Sequence, residues 1–187
     1  MGMPLPHTDW TVEMLDALPD DGNRYEVIDG ALFVTPAPTN VHQRAVAQLV
    51  ALLLPVAARL GLDLLPAPAA VRFSRRREVQ PDVLVIPRLP DGRFAKWFED
   101  VSVLLLAAEV LSPTTRRTDR TVKRDLYQDE HVRDYWLVDT DARTFERWGP
   151  TSVHSETFAD TLLWQPLEAQ APFVLDVAQY FRDVLGE

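Results

Sequence analysis

The sequence contains no cysteine, which excludes a disulfide framework and a thiolate metal site. It also lacks an uninterrupted apolar run of the roughly 18 residues that a membrane span requires. The longest apolar segments, 45–54 and 101–108, are interrupted or too short. The N-terminal residues form neither a basic nor an apolar leader region, so nothing there predicts export. These absences predict a cytoplasmic protein with no membrane partner.

Lysine is also scarce, because 17 of the 19 basic residues are arginines and only Lys96 and Lys123 are lysines. The net charge of −9 counts against indiscriminate binding of nucleic acid, which depends on neutralising phosphates. The charge is unevenly placed: residues 71–124 hold 12 basic and 7 acidic side chains, an excess of +5 that leaves −14 for the remainder. The middle of the chain is therefore its basic part, although single runs such as 75–77 are more often solvated turns.

The chain of 187 residues, with 47% apolar and 25% charged residues, has the length and composition of one globular domain. We expect a single domain over residues 1–187, with a core at about 24–148 and C-terminal strands with a short helix at 149–187. Helical and strand-like segments alternate along the chain. This order predicts an α/β (α+β) fold in which helices pack against a mixed sheet.

Local signals place the individual elements. Asp29-Gly30 predicts a tight hairpin turn between strands 24–28 and 31–35. Thr39 or Asn40 caps a long helix that ends before Gly61, with Pro55 kinking or restarting it. Further strands are predicted at 71–73, 79–86, 101–111, 134–138 and 143–148, with weaker candidates at 153–158 and 162–164; further helices are predicted at 8–18, at 119–130 with Val122 and Leu126 inward, and within 173–185.

Glu109 is the most informative polar residue, because it lies within the otherwise apolar segment 103–111. A buried carboxylate without a partner costs several kcal/mol, so such a group is usually paired, hydrogen-bonded or bound to a metal. The alternative is a glutamate at a strand end that reaches water. Asp82 follows Pro81 at the start of the apolar segment 83–86, where an aspartate is often only a turn residue.

Taken together, Asp82 and Glu109 make a stronger case than either residue alone. Two strand-end carboxylates on neighbouring strands would form a hard-oxygen site suited to Mg²⁺ or Mn²⁺. Such an ion can activate water and neutralise charge on a phosphate.

Lys123 adds a third candidate to these two carboxylates. In a chain that otherwise uses arginine, it suggests that a compact ammonium is specified. It is also four residues after Asp119, the spacing of an ordinary surface ion pair on a helix.

Several segments resemble, in order and spacing, the Uma-type restriction endonuclease family of the PD-(D/E)XK nuclease superfamily. The resemblance covers most of the chain and implies a restriction-endonuclease-like fold: a mixed β-sheet core flanked by helices, with an N-terminal hairpin. The segments are Tyr25-Glu26-Val27-Ile28-Asp29-Gly30, His42-Gln43-Arg44, Gln80-Pro81-Asp82-Val83, Glu109-Val110-Leu111-Ser112-Pro113, Asp119 through Lys123 to Tyr127, and Asp134-Tyr135-Trp136-Leu137-Val138-Asp139.

The resemblance implies that Asp82 is the first metal-binding acid and that Glu109 opens the second half of the motif. The usual lysine, two residues beyond the second acid, falls on the apolar Leu111. Lys123 in the following helix is therefore the implied substitute. Glu26 also matches the family pattern, and either adds a carboxylate to the metal site or is a solvent-facing residue of the hairpin.

Other residues are candidates for supporting roles. His42, near the start of the long helix, either faces the site or is structural. Asp119 and Tyr127 fall in the segment that carries Lys123, and Tyr127 is more typical of a core residue. Four arginines crowd the approach to Lys123 and are candidates to hold phosphates, or simply keep a helix soluble: Arg116, Arg117, Arg120 and Arg124.

The leading hypothesis is a Mg²⁺-dependent endonuclease, in which Asp82, Glu109 and Lys123 are catalytic and the substrate is nucleic acid, DNA being the expected form. Two alternatives stay open. One is an inactive nuclease-fold module that binds DNA or protein, and the other is hydrolysis of a phosphoester that is not nucleic acid. A homodimer would suit cleavage of both strands of a duplex, although no residue requires it.

Overall fold

The computed structural model describes residues 9–93, 103–167 and 171–187. Its helices are α1 (Val12–Leu15), α2 (Asn40–Leu60), α3 (Arg116–Thr118), α4 (Arg124–Asp129) and α5 (Val177–Leu185). Its strands are β1 (Arg24–Ile28), β2 (Ala31–Thr35), β3 (Leu62–Pro66), β4 (Val71–Ser74), β5 (Arg77–Val79), β6 (Val83–Pro87), β7 (Leu106–Val110), β8 (Asp134–Asp139), β9 (Thr144–Trp148), β10 (Glu156–Phe158), β11 (Thr161–Trp164) and β12 (Phe173–Asp176).

The predicted hairpin is confirmed, since β1 and β2 pair antiparallel with Ile28 opposite Ala31. Asp29 and Gly30 have φ values of 53° and 81°, the conformation that a two-residue hairpin turn of this kind requires. A Cβ atom at Gly30 would also collide with the Arg76 guanidinium. Glycine is therefore required here for two reasons, the backbone angle and the close approach of Arg76.

The predicted long helix is confirmed with the expected ends. The Thr39 side chain accepts a hydrogen bond from the His42 N–H, and Gly61 ends the helix at a φ of 70°. The expectation that Pro55 restarts the helix is wrong, because α2 continues through it. By length and composition alone α2 could cross a membrane, but a core helix passes the same test. Leu49 and Leu53 are fully buried, and α2 packs on β3 and α5.

The predicted strand at 79–86 is wrong, because this segment divides between two sheets. β5 belongs to a four-stranded sheet of order β2-β1-β5-β4, whereas β6 belongs to a six-stranded sheet of order β10-β9-β8-β7-β6-β3. Gln80-Pro81-Asp82 forms the crossing between them. Proline cannot donate a ladder hydrogen bond, so a strand does not continue through Pro81. The break leaves Asp82 at the junction of the two sheets.

The predicted central strand is shorter than expected but lies where it should. Every residue of β7 is buried, and β7 pairs antiparallel with β6 and parallel with β8. Leu104 and Leu105 are buried outside the strand. Positions 101 and 102 of the predicted strand lie outside the described residues.

The predicted helix at 119–130 starts earlier and is irregular. Between α3 and α4, residues Asp119–Lys123 form a π-helical turn. Leu126 is buried as expected, but Val122 is only half-buried, whereas Asp119 and Lys123 are each 1% exposed. Such turns occur mostly inside α-helices and often at functional sites. The wider turn directs Asp119 and Lys123 inward, which a regular helical pattern does not predict.

The short N-terminal helix begins at Val12, after Thr11 rather than Thr8, and ends at Leu15. Towards the C-terminus, β8 and β9 are confirmed, and the weaker candidates correspond to β10 and β11. The predicted C-terminal helix is correct only for α5, because residues 173–176 form β12, which pairs with β11.

Two hydrophobic cores lie on opposite faces of the six-stranded sheet. One includes Trp136 and Trp164 of the strands and residues of α2 and α5 such as Tyr180, and the other includes Tyr135 of β8 and residues of α4 and the hairpin sheet such as Tyr127.

Candidate active site

Asp82 is held at the junction of the two sheets by three donors. Its Oδ2 accepts a hydrogen bond from the Val110 N–H at 2.8 Å and lies 3.0 Å from His42 Nε2. Its Oδ1 accepts from Arg24 Nη1 at 2.9 Å. Asp82 is 2% exposed, so both of its oxygens are engaged in a nearly dry environment.

Glu109 lies next to Asp82 because β6 and β7 are paired. Val83, the residue after Asp82, is opposite Ala108, the residue before Glu109. Glu109 is 1% exposed, which excludes the alternative of a strand-end glutamate that reaches water. Its Oε1 lies 2.8 Å from Lys123 Nζ. The two carboxylates singled out by the sequence therefore meet, and Lys123 meets one of them directly.

Lys123 forms ion pairs with carboxylates from both sheets. Its Nζ also lies 2.9 Å from Glu26 Oε1, and the same oxygen accepts a hydrogen bond from the Gln80 N–H at 2.8 Å. Glu26 is 1% exposed, so it is not a solvent-facing residue of the hairpin. The distance from Lys123 to Asp119 is 3.9 Å. The interpretation of Lys123 as half of a surface ion pair is therefore wrong, since both partners are buried.

The supporting residues surround this cluster. The Tyr127 hydroxyl donates to Glu109 Oε1 at 3.4 Å, and the Tyr135 hydroxyl donates to the Asp119 carbonyl at 3.0 Å. Oδ1 of the buried Asp119 and Nδ1 of His42 have no hydrogen-bond partner among the described residues. A small cavity of about 20 Å³ between Asp119, Lys123 and Glu26 has room for a single water molecule.

Burial and charge shift the acid–base properties of the cluster. Burial raises the pKa of Glu109 to about 8; Lys123 opposes this shift, and the charge of Asp82 adds to it. Burial likewise raises the pKa of Asp119 to about 6. For Asp82, burial is outweighed by the His42 hydrogen bond and the Arg24 charge, so its pKa falls to about 2. Two neighbouring carboxyl groups therefore have pKa values shifted in opposite directions, a pattern found at functional sites.

Burial disfavours the charged form of Lys123, but the carboxylates of Glu109 and Glu26 outweigh burial and raise its pKa above the usual value. The lysine is therefore a fixed ammonium at neutral pH and not a proton acceptor. Its charge is available to a neighbouring group that carries negative charge.

The charge of the cluster fits a divalent cation. Six buried or half-buried side chains contribute to it: Glu26, Asp82, Glu109, Asp119, Arg24 and Lys123. With its pKa of about 8, Glu109 is largely protonated at neutral pH in the metal-free protein, which leaves a formal charge of −1. Once Glu109 loses that proton the charge is −2, which one Mg²⁺ or Mn²⁺ would neutralise. The ligand arrangement is not preformed, because no group of three or more acidic or histidine side chains among the described residues is placed to hold a metal.

A cleft with a volume of about 780 Å³ opens onto this cluster. Asp82, Arg24, His42, Tyr25 and Gln43 are among the residues that line it. Glu109 and Lys123 do not line the cleft and reach it through their neighbour Asp82. The cleft gives the buried carboxylates an approach from solvent.

The four arginines predicted to hold phosphates are mostly engaged elsewhere. Arg116 and Arg120 both pair with the buried Asp139, at 2.9 Å and 3.0 Å. Arg124 pairs with Asp125. Only Arg117 of the four is exposed and without an ion pair in the part of the chain that the structure describes. Three of the four arginines thus form ion pairs within the protein.

Comparison with known proteins adds to this geometry. The family model described as "Uma2: Putative restriction endonuclease" matches residues 12–178. The chain belongs to the Uma2 family. A crystal structure described as a "putative nuclease belonging to DUF820" from Anabaena variabilis ATCC 29413 is similar with a TM-score of 0.73 at 21% identity, covering 93% of this chain and 98% of that one. This likeness shows that the two chains share a fold. No curated protein matches.

For this Uma2 member, family and fold together support nuclease function in general terms. Sequence reasoning did not find Arg24, whose contact with Asp82 joins residues 58 positions apart. It named His42 without identifying its contact with Asp82. The only local signal for Arg24 is its place at the start of β1, in register with Thr35, and this does not reveal a partner on another sheet.

Proposed function

We propose that this Uma2 protein is a metal-dependent endonuclease that hydrolyses phosphodiester bonds of nucleic acid, with DNA as the expected substrate. The observation that carries the proposal is the buried cluster of Asp82, Glu109 and Lys123 beside a solvent-accessible cleft. Membership of the Uma2 family supports the reaction class.

Asp82 and Glu109 are the residues that would hold Mg²⁺ or Mn²⁺, with Glu26 as a third carboxylate. When bound, such an ion activates a water and neutralises charge on the phosphate. Asp82 must first exchange the contacts that Arg24 and His42 make with its oxygens. Arg24, 18% exposed at its side chain, then remains at the inner wall of the cleft as a cation for a phosphate oxygen.

Lys123 would place a fixed ammonium beside the attacking water or the developing negative charge. Its two carboxylate partners hold it at 2.8 Å and 2.9 Å, so little reorganisation is needed. Preorganised donors of this kind contribute roughly 10²–10³ in rate. Leu111, at the usual place of the lysine, is 4% exposed in the second core and cannot supply a charge.

A cleavage assay tests the proposal. The protein is incubated with DNA and RNA in Mg²⁺, Mn²⁺ or EDTA, as wild type and as Asp82→Asn, Glu109→Gln and Asp63→Asn. Asp63 is a largely buried carboxylate on β3, outside the cluster, which makes it the matched control. We expect metal-dependent cleavage by the wild type and by Asp63→Asn only.

Cleavage that persists in EDTA, or in either cluster variant, would contradict the assignment. Binding of nucleic acid with no cleavage under any metal would instead identify an inactive nuclease-fold module.

A further inference from the structure

The cleft has the size of a small-ligand pocket. Its volume of about 780 Å³ lies within the roughly 300–1,000 Å³ typical of such pockets. Asp82, the only one of the three candidate catalytic residues to line it, is 2% exposed, and Glu109 behind it is 1% exposed. A scissile phosphate must therefore enter the cleft. Duplex DNA is stiff, with a persistence length of about 150 base pairs, and it carries its phosphates on the outside of a rod.

The lining of the cleft offers few cations. Among the described residues that line it, Arg24 is the only lysine or arginine, and Asp82 engages it. The affinity of a protein for a duplex comes largely from lysines and arginines that neutralise several phosphates, and one engaged arginine supplies little of it. Most arginines of the chain are instead bonded to carboxylates within the protein, such as Arg77 to Asp29 and Glu130. The described residues therefore leave few unpaired basic side chains that could bind the phosphates along a duplex.

Two arginines next to the cleft are without an ion pair among the described residues. Arg44 follows Gln43, and Arg117 is two residues after Thr115; both Gln43 and Thr115 line the cleft. Arg44 and Arg117 are exposed. Arg44 belongs to α2, which carries the lining residue Gln43, and Arg117 belongs to α3, which Thr115 precedes. Arg44 and Arg117 can each bind one phosphate of a strand that passes through the cleft.

The rest of the lining suits bases better than phosphates. Asp16, Asp20 and Glu78 repel a phosphate, whereas Tyr25, Thr39, Gln43 and Ser112 present one aromatic ring and neutral polar groups. The Tyr25 hydroxyl donates to Asp21 at 2.9 Å, which fixes the ring. Aromatic rings stack on bases of any sequence, and this is a common mode of single-strand binding. In a duplex the base faces are already stacked and unavailable.

We infer that the substrate of this nuclease is an unpaired strand, a short segment of which occupies the cleft while Arg44 and Arg117 contact phosphates on either side. The inference rests on the proposed function and specifies its substrate class. A single strand also removes the need for two-fold symmetry in the enzyme, because only one strand is cut.

The first test compares cleavage in Mg²⁺ of one labelled sequence as a single strand and as a blunt duplex, in DNA and RNA forms. We expect the blunt duplex to be cut slower than the single strand by on the order of a hundredfold, because unpairing must precede entry into the cleft. Equal or faster cleavage of the duplex would overturn the inference and leave the proposed nuclease function intact. Absence of cleavage with every substrate would instead refute the proposed function, and the inference with it.

The second test measures binding of the labelled single strand by fluorescence anisotropy across a salt series in EDTA. Arg44→Ala and Arg117→Ala are compared with Arg59→Ala, an exposed arginine without an ion pair among the described residues. Arg59 is about 22 Å along α2 from Arg44. Each of the first two variants is expected to weaken binding and to lower the slope of log affinity against log salt by about 0.7. Slopes equal to that of Arg59→Ala would overturn the assignment of Arg44 and Arg117.

Discussion

The backbone N–H of Val110 donates a hydrogen bond to Asp82 Oδ2 at 2.8 Å, although the two residues are 28 positions apart. This contact fixes the Asp82 carboxylate against β7, next to the residue that carries the second carboxylate. The separation of Asp82 and Glu109 therefore depends on the pairing of β6 with β7 and on the crossing that ends at Asp82, directly before β6. Glu109 lies on a paired strand, which keeps its geometry better than a loop does.

The pH dependence of stability should report the buried carboxylates. Glu109 and Asp119 have pKa values of about 8 and 6, above their ordinary values of 4.5 and 3.8. At a pH between the ordinary and the raised pKa of each group, the folded state binds more protons than the unfolded state. The free energy of unfolding therefore falls as pH rises through this range. We expect the metal-free protein to lose stability from about pH 5 to pH 8 in urea unfolding.

Glu109→Gln is the control for this pH effect. It should flatten the upper part of the profile, between about pH 6 and 8, because the group that titrates there is removed. The lowered pKa of Asp82 acts in the opposite sense, but only below its ordinary value of 3.8. An unchanged slope in Glu109→Gln would show that another group titrates in this range.

Replacing Lys123 by methionine should destabilise the protein and slow cleavage by roughly 10²–10³. Lys123→Met leaves Glu26 and Glu109 without their shared cation, and breaking a buried ion pair in this way costs about 3–5 kcal/mol. The double variant Lys123→Met/Glu109→Gln should recover part of that loss, because one unpaired charge is removed. Chemical denaturation gives the free energy of unfolding of the wild type, the single variant and the double variant. Equal stability of the single and double variants would contradict the observed pairing.

Divalent metal should raise thermal stability only where the carboxylates are intact. Binding to the folded state at 100 times the dissociation constant contributes about 2.7 kcal/mol. We expect Mn²⁺ to raise the Tm of wild type and Asp63→Asn, and to leave Asp82→Asn and Glu109→Gln unchanged. Calorimetric titration gives the affinity independently of activity. A Tm increase that is the same in all four proteins would locate the metal elsewhere.

Arg24 competes with a metal for Asp82, since its Nη1 occupies Oδ1. Arg24→Gln should therefore bind Mn²⁺ more tightly than wild type in the absence of substrate, because no guanidinium has to be displaced. Its metal-free form should be less stable, since Asp82 loses a charged donor. Weaker Mn²⁺ binding in Arg24→Gln would show instead that the guanidinium orients Asp82 for the ion.

The hairpin turn offers a test of the fold alone. Gly30→Ala should destabilise the protein by about 1–3 kcal/mol, because a side chain at positive φ is strained and its Cβ meets Arg76. Gly22 has a similar φ of 82° with nothing within 4 Å of an added Cβ. Gly22→Ala therefore measures the backbone strain alone, and it should cost less than Gly30→Ala.

Local sequence signals predicted the parts of the fold that local chemistry determines. The Asp29-Gly30 turn, and the Thr39 and Gly61 ends of α2, each depend on a residue whose own backbone preference specifies the structure. Pro81 carried an equally local signal, the missing N–H, but a continuous apolar pattern on both sides concealed the change of sheet. The π-helical turn at 119–123 has no comparable signature, because it depends on what the turn packs against.

The residues of the candidate site also divide into those that the sequence indicates and those that only the structure reveals. Asp82 and Glu109 were predictable because a charged residue beside or within an apolar strand needs a partner. Lys123 was identified from its rarity and from the family resemblance. Glu26 was a candidate from the family resemblance, with a solvent-facing residue as the alternative. Arg24 could not be predicted, because its contact with Asp82 joins residues 58 positions apart.

The crossing at Gln80-Pro81-Asp82 has a consequence for the order in which activity appears. Glu26 comes from the hairpin sheet, Glu109 from the six-stranded sheet, and Lys123 from the helical segment between β7 and β8. No single piece of the chain contains the proposed cutting site. A growing or partly unfolded polypeptide therefore has no assembled centre, and only a chain that has finished folding brings these residues together.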